Sequence, residues 1–111
     1  MASIAHARLA TYARPASVAS AVELLAERAR HDAFVRDPDH LRVSFRTRRT
    51  LWHGELDVVI VITAPIGRAT EVDIWLDSVG APTDAAAEAS AAMRNLKAAE
   101  RLRRDIRVAL L

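Results

Sequence analysis

Alternation of apolar and polar residues predicts three consecutive strands between residues 41 and 79. In residues 41–48 (LRVSFRTR) the apolar side chains fall on odd positions and the arginines mostly on even ones, a pattern typical of a strand with one buried face. Both parities are largely apolar in residues 56–62 (LDVVIVI), as expected for a strand covered on both faces. Residues 70–77 (TEVDIWLD) alternate again. Together the three segments predict an antiparallel meander.

The turns of this meander set its register. We expect a two-residue loop at residues 53–54 and a three-residue loop that places Gly67 in the left-handed region. The cross-strand pairs expected from these loops are Phe45 with Ile62, Arg46 with Val61, Arg48 with Val59, Ile60 with Ile74, and Val58 with Leu76. One face of the sheet then becomes a continuous core surface of Val43, Phe45, Val58, Ile60, Ile62, Val72, Ile74 and Leu76.

Apolar residues at helical spacing flank the meander on both sides. Pro15 suits the first turn of a helix that ends near His31. This first helix is expected to bury Val18, Val22, Leu25 and Ala29. Thr83 or Asp84 can cap a second helix of roughly 27 residues, which would be about 40 Å long. Its expected buried stripe is Ala85, Ala89, Ala92, Met93, Leu96, Ala99, Ile106 and Leu110. Because that length exceeds the width of a small sheet, its last turns should project or meet a partner.

These elements predict one two-layer α+β domain over residues 1–111, with helices on one face of a three- or four-stranded antiparallel sheet. The order is (β)-α-β-β-β-α with a long C-terminal helix, and residues 3–12 suit either strand or helix. The chain has no cysteine and no apolar run of the roughly 18 residues that span a bilayer. We expect a cytoplasmic protein without a membrane partner. Alanine is abundant and Lys97 is the only lysine among 16 basic residues, which indicates a GC-rich, bacterial codon usage.

The second face of the meander combines an apolar centre with opposite charges at its two edges. Such a face can pair with its own copy, so it predicts a homodimer interface. The residues assigned to this interface are Val59, Val61, Trp75, Arg46, Arg48 and Asp73. The alternative is a solvated face whose exposed ion pairs contribute little.

Two further candidate sites involve the last helix. A small apolar ligand between the sheet and this helix would contact Phe45, Ile60, Ile74, Met93 and Leu96. A cationic stripe for nucleic acid or another polyanion would consist of Arg94, Lys97, Arg101 and Arg104. Cations late in a helix also complement its dipole, and the scarcity of aromatic residues does not favour single-strand binding.

No catalytic chemistry is indicated. The sequence has no nucleophile elbow, no glycine-rich phosphate loop and no H-E-x-x-H motif, and its net charge of +2 is too small to indicate a polyanion partner by itself. His53, Glu55 and Asp57 alternate along a strand, but no fourth ligand follows at a recognisable spacing. We expect a protein that is not an enzyme and that has no catalytic residue, cofactor or metal.

Three families share features with the chain. The runs DHLRVSFRTR at residues 39–48 and LDVVI at residues 56–60 resemble the hairpin of the bacterial domain-of-unknown-function family 1499, a similarity that covers residues 16–105. The order of elements, with ARP at residues 13–15 opening the first helix, resembles a trimmed helix-grip domain of the START-like superfamily, which implies an apolar ligand between sheet and final helix. GRATEV at residues 67–72 in the last hairpin is similar to dimeric nucleoid-associated proteins of the YbaB type.

The sequence therefore supports three functional hypotheses. The leading one is a non-enzymatic module that self-associates through the second sheet face. The alternatives are a domain that binds a small apolar ligand and a domain that binds a polyanion through the arginine stripe.

Overall fold

Five strands form one antiparallel sheet in the computed structural model, which describes residues 4–49, 54–80 and 84–111. Along the chain the elements are β1 (Ala5–Thr11), α1 (Pro15–Arg28), β2 (Asp32–Arg36), β3 (Arg42–Arg46), β4 (Leu56–Thr63), β5 (Thr70–Ser78) and α2 (Ala85–Ala109). The strand order is β1-β5-β4-β3-β2. The predicted α+β class, the antiparallel meander and the long C-terminal helix are confirmed, and both helices pack on one face of the sheet.

The two edge strands, β1 and β2, were the hardest to predict from the sequence. The segment left open between strand and helix forms β1, in which Ala5, Ala7 and Leu9 are buried and alternate with exposed side chains. Strand β2 was not predicted, because a bulge interrupts its pairing with β3 and Ala33 has a φ of +55°. A bulge shifts the inward side chains out of strict alternation, so the sequence pattern does not reveal the strand. The sheet is therefore wider than the three or four strands expected.

The register of the meander is confirmed in one hairpin and wrong in the other. Ile60 pairs with Ile74 as predicted, and Gly67 has a φ of +73° in the connecting turn. Phe45, however, pairs with Val58 instead of Ile62, and the predicted pairs of Arg46 with Val61 and of Arg48 with Val59 do not form. The β3–β4 connection is longer than two residues, and the predicted loop at residues 53–54 lies partly outside the described residues. The shift is even-numbered, so every side chain keeps its face and the predicted core surface is buried as expected.

Helix α1 ends in a Schellman motif that directs the following residue toward the sheet. Arg30 has a φ of +57°, its N–H donates to the Glu27 carbonyl at 3.0 Å, and the His31 N–H donates to the Ala26 carbonyl at 2.9 Å. Glycine is the usual residue at the position of Arg30 because it enters the left-handed region without strain. After this turn the His31 ring stacks on Phe45, with centroids 5.4 Å apart.

Helix α2 begins at the predicted cap, because the Asp84 carboxylate accepts a hydrogen bond from the Ala87 N–H at 2.7 Å. Its buried residues are Ala91, Asn95, Ala99 and Ile106. The predicted stripe is thus partly wrong: Ala85 and Ala89 are exposed, and Met93 and Leu96 are 64% and 49% exposed. An alanine-rich helix offers many apolar faces of similar strength, so tertiary packing sets its rotation.

The last turns of α2 do not project from the domain, contrary to expectation. Ile106 is fully buried and Leu110 packs against the core. Helix α2 contacts β1, β5 and α1, so the sheet widened by β1 offers it a broader surface. Asn95 is a buried polar residue on this helix, and its side-chain amide donates to the Ser78 hydroxyl at 2.9 Å.

Candidate ligand-binding groove

A groove of about 300 Å³ opens between α2 and the end of the sheet where β3 and β5 finish and β4 begins. Its apolar floor is formed by Phe45, Leu56, Val58, Leu76, Ala98 and Leu102. The side chain of Ala98 is a single methyl group, so α2 leaves space here that a larger residue would fill. The rim consists of polar and charged side chains: His31, Thr47, Arg48, Arg94, Lys97, Arg101 and Asp105.

The rim carries more positive than negative charge. Arg94, Lys97 and Arg101 lie at i, i+3 and i+7 on α2, which places them on one side of the helix, and Arg48 follows β3 on the sheet side. Within the described part of the chain, none of these four cations forms an ion pair. Asp105 is the one acidic residue among the described groove residues. The arrangement is a cationic mouth above an apolar floor.

His31 closes the groove on the α1 side. Its Nδ1 accepts a hydrogen bond from the backbone N–H of Arg48 at 3.1 Å. Burial lowers the pKa of His31 below its usual value, the positive charge of Arg48 lowers it further, and the nearby Asp32 opposes the change. The ring is therefore neutral near pH 7, and because Nδ1 accepts a hydrogen bond, Nε2 carries the proton.

The outer face of the sheet, opposite the helices, is centred on Trp75. This side chain is 43% exposed and stacks on His6 with ring centroids 4.1 Å apart. Asp73 accepts hydrogen bonds from His6 Nε2 at 2.7 Å and from Arg8 Nε at 2.9 Å. Burial acts to raise the pKa of Asp73, but these two hydrogen bonds outweigh it and the pKa lies below its usual value. Strand β1 thus supplies partners for Asp73, which the interface hypothesis had assigned to pairing with a second copy of the chain.

The predicted interface residues share the outer face with one exception. Val59 and Val61 are half-buried beside Trp75, and Arg46 donates to Asp57 on the neighbouring strand at 2.9 Å. The assignment of Arg48 to this face is wrong, because it lines the groove on the other side of the sheet. Strand β3 ends at Arg46, and beyond the end of a strand the alternation of faces no longer holds.

The predicted ligand residues separate into three groups. Phe45 lies on the groove floor, and its role in ligand binding stays a prediction. Ile60 and Ile74 are fully buried in the core and do not line the groove. Met93 and Leu96 are exposed on the far side of α2, so their assignment to the ligand site is wrong. The rotation of α2 instead brings Ala98 and Leu102 to the groove.

The predicted polyanion stripe is exposed on α2 and divides at the groove. Arg94, Lys97 and Arg101 stand on its rim, whereas Arg104 lies outside it. The structure therefore brings Phe45, predicted to bind an apolar ligand, together with three residues predicted to bind an anion. His31 was missed because its relation to Phe45 depends on the turn after α1, and neither adjacency nor spacing indicates that contact.

Comparison with protein-family models, with curated proteins and with solved structures gives no match. In residues 4–49, 54–80 and 84–111, no three or more metal-ligating side chains lie together; His53, considered above with Glu55 and Asp57, is outside these ranges. Neither helix, over its described residues, combines the length and apolar character needed to cross a bilayer.

Proposed function

We propose that this domain binds a small, largely apolar molecule in the groove between the sheet and α2. The observation that carries the proposal is the apolar floor at an open mouth, where six apolar side chains of the described residues line a space that α2 does not fill. The volume is at the lower end of the roughly 300–1,000 Å³ typical of ligand pockets. It corresponds to roughly ten molecules of water at about 30 Å³ each, so a ligand with a similar number of non-hydrogen atoms fits.

Burial of apolar surface would drive this binding. Each Å² of apolar surface removed from water contributes about 25 cal/mol. Leu102 and Ala98 are only partly buried in the chain alone, so a ligand gains contact with surface that is still hydrated. The resemblance to helix-grip domains supports the same position, since their ligands lie between the sheet and the final helix.

Ala98→Phe tests the proposal by filling the groove. We expect octan-1-ol to raise the melting temperature of the wild-type chain and to shift the methyl NMR signals of Leu56, Leu76 and Leu102. Ala98→Phe should abolish both effects. The matched control is Ala89→Phe, the same substitution on an exposed part of α2, which should leave them intact.

Two outcomes contradict a ligand site in the groove. One is an absence of methyl shifts in the wild-type chain, a measurement that does not depend on the folding of any variant. The other is equal stabilisation of a folded Ala98→Phe variant and the wild-type chain by octan-1-ol.

A second candidate function is self-association through the outer face of the sheet, which the exposure of Trp75 favours. Trp75 is 43% exposed beside two half-buried valines, and aromatic side chains in such settings are enriched at interface centres. Sedimentation of the wild-type chain should then give a dimer and Trp75→Glu a folded monomer. Ile66→Glu is the matched control, since Ile66 is fully exposed at the β4–β5 turn. A monomeric wild-type chain, or a dimer that persists in Trp75→Glu, contradicts this candidate.

A further inference from the structure

We propose that the ligand of the groove is an amphipathic anion, a compact apolar chain that ends in one carboxylate. This inference rests on the proposed function of the groove and adds the chemical class of the ligand. It starts from the coincidence of two features at one place: an apolar floor and a rim whose cations have no acidic partner among the described residues.

The rim is distinctive because it gathers several cations without an acidic partner, among the described residues, around one apolar floor. Arg8 donates to Asp73, Arg46 to Asp57, and Arg36 to Glu23. At the groove, Arg48 and Arg94 have no such partner in the described residues. Arg42 on the outer face also lacks an ion pair among the described residues, so the groove differs by the grouping of four such cations around one apolar floor, where one anion can contact more than one of them.

The cations also repel one another. Lys97 and Arg101 are separated by one helical turn, and like charges at this spacing destabilise a helix. Asp105 follows Arg101 by one turn but makes no ion pair with it. A bound carboxylate would relieve this repulsion, and an arginine can hold a carboxylate with two parallel hydrogen bonds.

The position of the cations favours a single charged group over a polyanion. Arg48 comes from the sheet side and Arg94 from α2, so the charges flank the apolar floor from both sides. A phosphate backbone has no apolar part to place on Phe45 and Leu102, whereas the hydrocarbon chain of an amphiphile has one. The neutral ring of His31, with its proton on Nε2, adds a hydrogen-bond donor to the same rim. A medium-chain carboxylate such as octanoate matches a space of roughly ten non-hydrogen atoms.

Four probes test the inference by titration calorimetry on the full chain: octanoate, octan-1-ol, octylammonium and acetate. We expect octanoate to bind about tenfold tighter than octan-1-ol, the usual contribution of a hydrogen bond between charged groups. Octylammonium should bind more weakly than octan-1-ol, because the rim repels it. Acetate should give no measurable heat of binding, because it lacks the chain that covers the floor.

A pair of double variants tests which cations are responsible. Arg94→Ala with Arg101→Ala should reduce octanoate affinity about tenfold and leave octan-1-ol affinity unchanged. Arg104→Ala with Arg107→Ala removes the same charge from the same helix outside the groove and should change neither. Both double variants introduce alanine at exposed helical positions, so we expect the fold to be retained.

The outcomes separate this inference from the proposed function. Equal affinities for octanoate and octan-1-ol would overturn the anion class and leave the groove as an apolar site. Tightest binding of octylammonium, or an equal loss of octanoate affinity in both double variants, would also overturn it. If none of the four probes binds, the groove itself fails as a ligand site.

Discussion

The two faces of the sheet both combine apolar side chains with cations, but they differ in how the cations are arranged. On the outer face, Arg8 and Arg46 each bond to a carboxylate on the neighbouring strand. At the groove, Arg94 and Arg101 have no ion-pair partner among the described residues. Cross-strand neighbours place opposite charges side by side at these two positions, whereas Arg94, Lys97 and Arg101 follow one another along one side of α2. Arg42 on the outer face also has no ion pair among the described residues, but the groove gathers several such cations beside an apolar floor and is therefore the better candidate for a ligand.

The largest expected effect is a difference in stability loss between substitutions on the buried side and on the outer side of β4. Ile60 is fully buried between the sheet and the helices, while its neighbour Val61 points to the outer face and is half-buried. Ile60→Ala should lower the free energy of unfolding by about 2–5 kcal/mol, because it leaves a cavity in a packed core. Val61→Ala should lower it by about 1 kcal/mol or less.

Urea unfolding followed by circular dichroism measures both variants of β4. Similar losses in the two variants would mean that the outer face is covered by another molecule, as the self-association hypothesis requires. Repeating the experiment at several protein concentrations distinguishes that case, since only an oligomer gains stability with concentration.

The next effect concerns the rotation of α2, which decides the residues that reach the groove. Asn95→Ala removes a buried amide that bonds to Ser78, and we expect a loss of about 1–3 kcal/mol in the free energy of unfolding. Leu96→Ala is the matched control one residue along, on the exposed side, and should change stability by less than about 0.5 kcal/mol. A larger loss for Leu96→Ala than for Asn95→Ala would contradict this rotation.

These residues show which features the sequence could predict. Parity along a strand is local, so Val58 and Ile60 were placed in the core even though the β3–β4 register was shifted by an even number of residues. The groove depends on tertiary relations instead. The walls of the groove depend on the rotation of α2, which its many alanines do not determine and which buries Asn95, a polar residue that the apolar pattern omits. They also depend on where β3 ends, because Arg48 lies beyond that end and faces the groove. The inward position of Phe45 was predictable because it follows the strand alternation. The position of His31 was not, because it depends on the turn that ends α1.

A smaller stability change is expected from substitutions in the turn that brings His31 to the groove. Arg30 has a left-handed backbone at the end of α1, where glycine avoids the steric cost of a side chain. Arg30→Gly should therefore raise the free energy of unfolding by about 0.5–1 kcal/mol, with ligand affinity unchanged. Arg28→Gly, at the last residue of α1 and outside the left-handed region, is the opposite control and should destabilise the chain by up to a similar amount. Thermal denaturation measures both, and destabilisation by Arg30→Gly would contradict the Schellman motif.

The smallest expected effect is a difference in pH dependence between the two faces, since both groups involved are partly hydrated. On the outer face the pKa of Asp73 lies below its usual value of 3.8, so its contribution to stability is present above that pH and is lost as the pH falls through the folded-state pKa. Asp73→Asn should remove this acid-sensitive contribution to the free energy of unfolding. At the groove the pKa of His31 lies below 6.5, so the unfolded chain takes up the proton first and the folded state loses stability as the pH falls below 6.5.

His31→Gln should flatten the second of these pH profiles. The groups that face His31 are Arg48, Asp32 and the charged groove rim of Arg94, Lys97, Arg101 and Asp105. An anion held by this rim favours the protonated ring. The affinity of octanesulfonate, whose own charge does not change in this range, should therefore rise between pH 7.5 and pH 5.5 in the wild-type chain and stay constant in His31→Gln. An equal rise in both chains would remove His31 from the anion site and leave the arginines and Lys97 as its recognition groups.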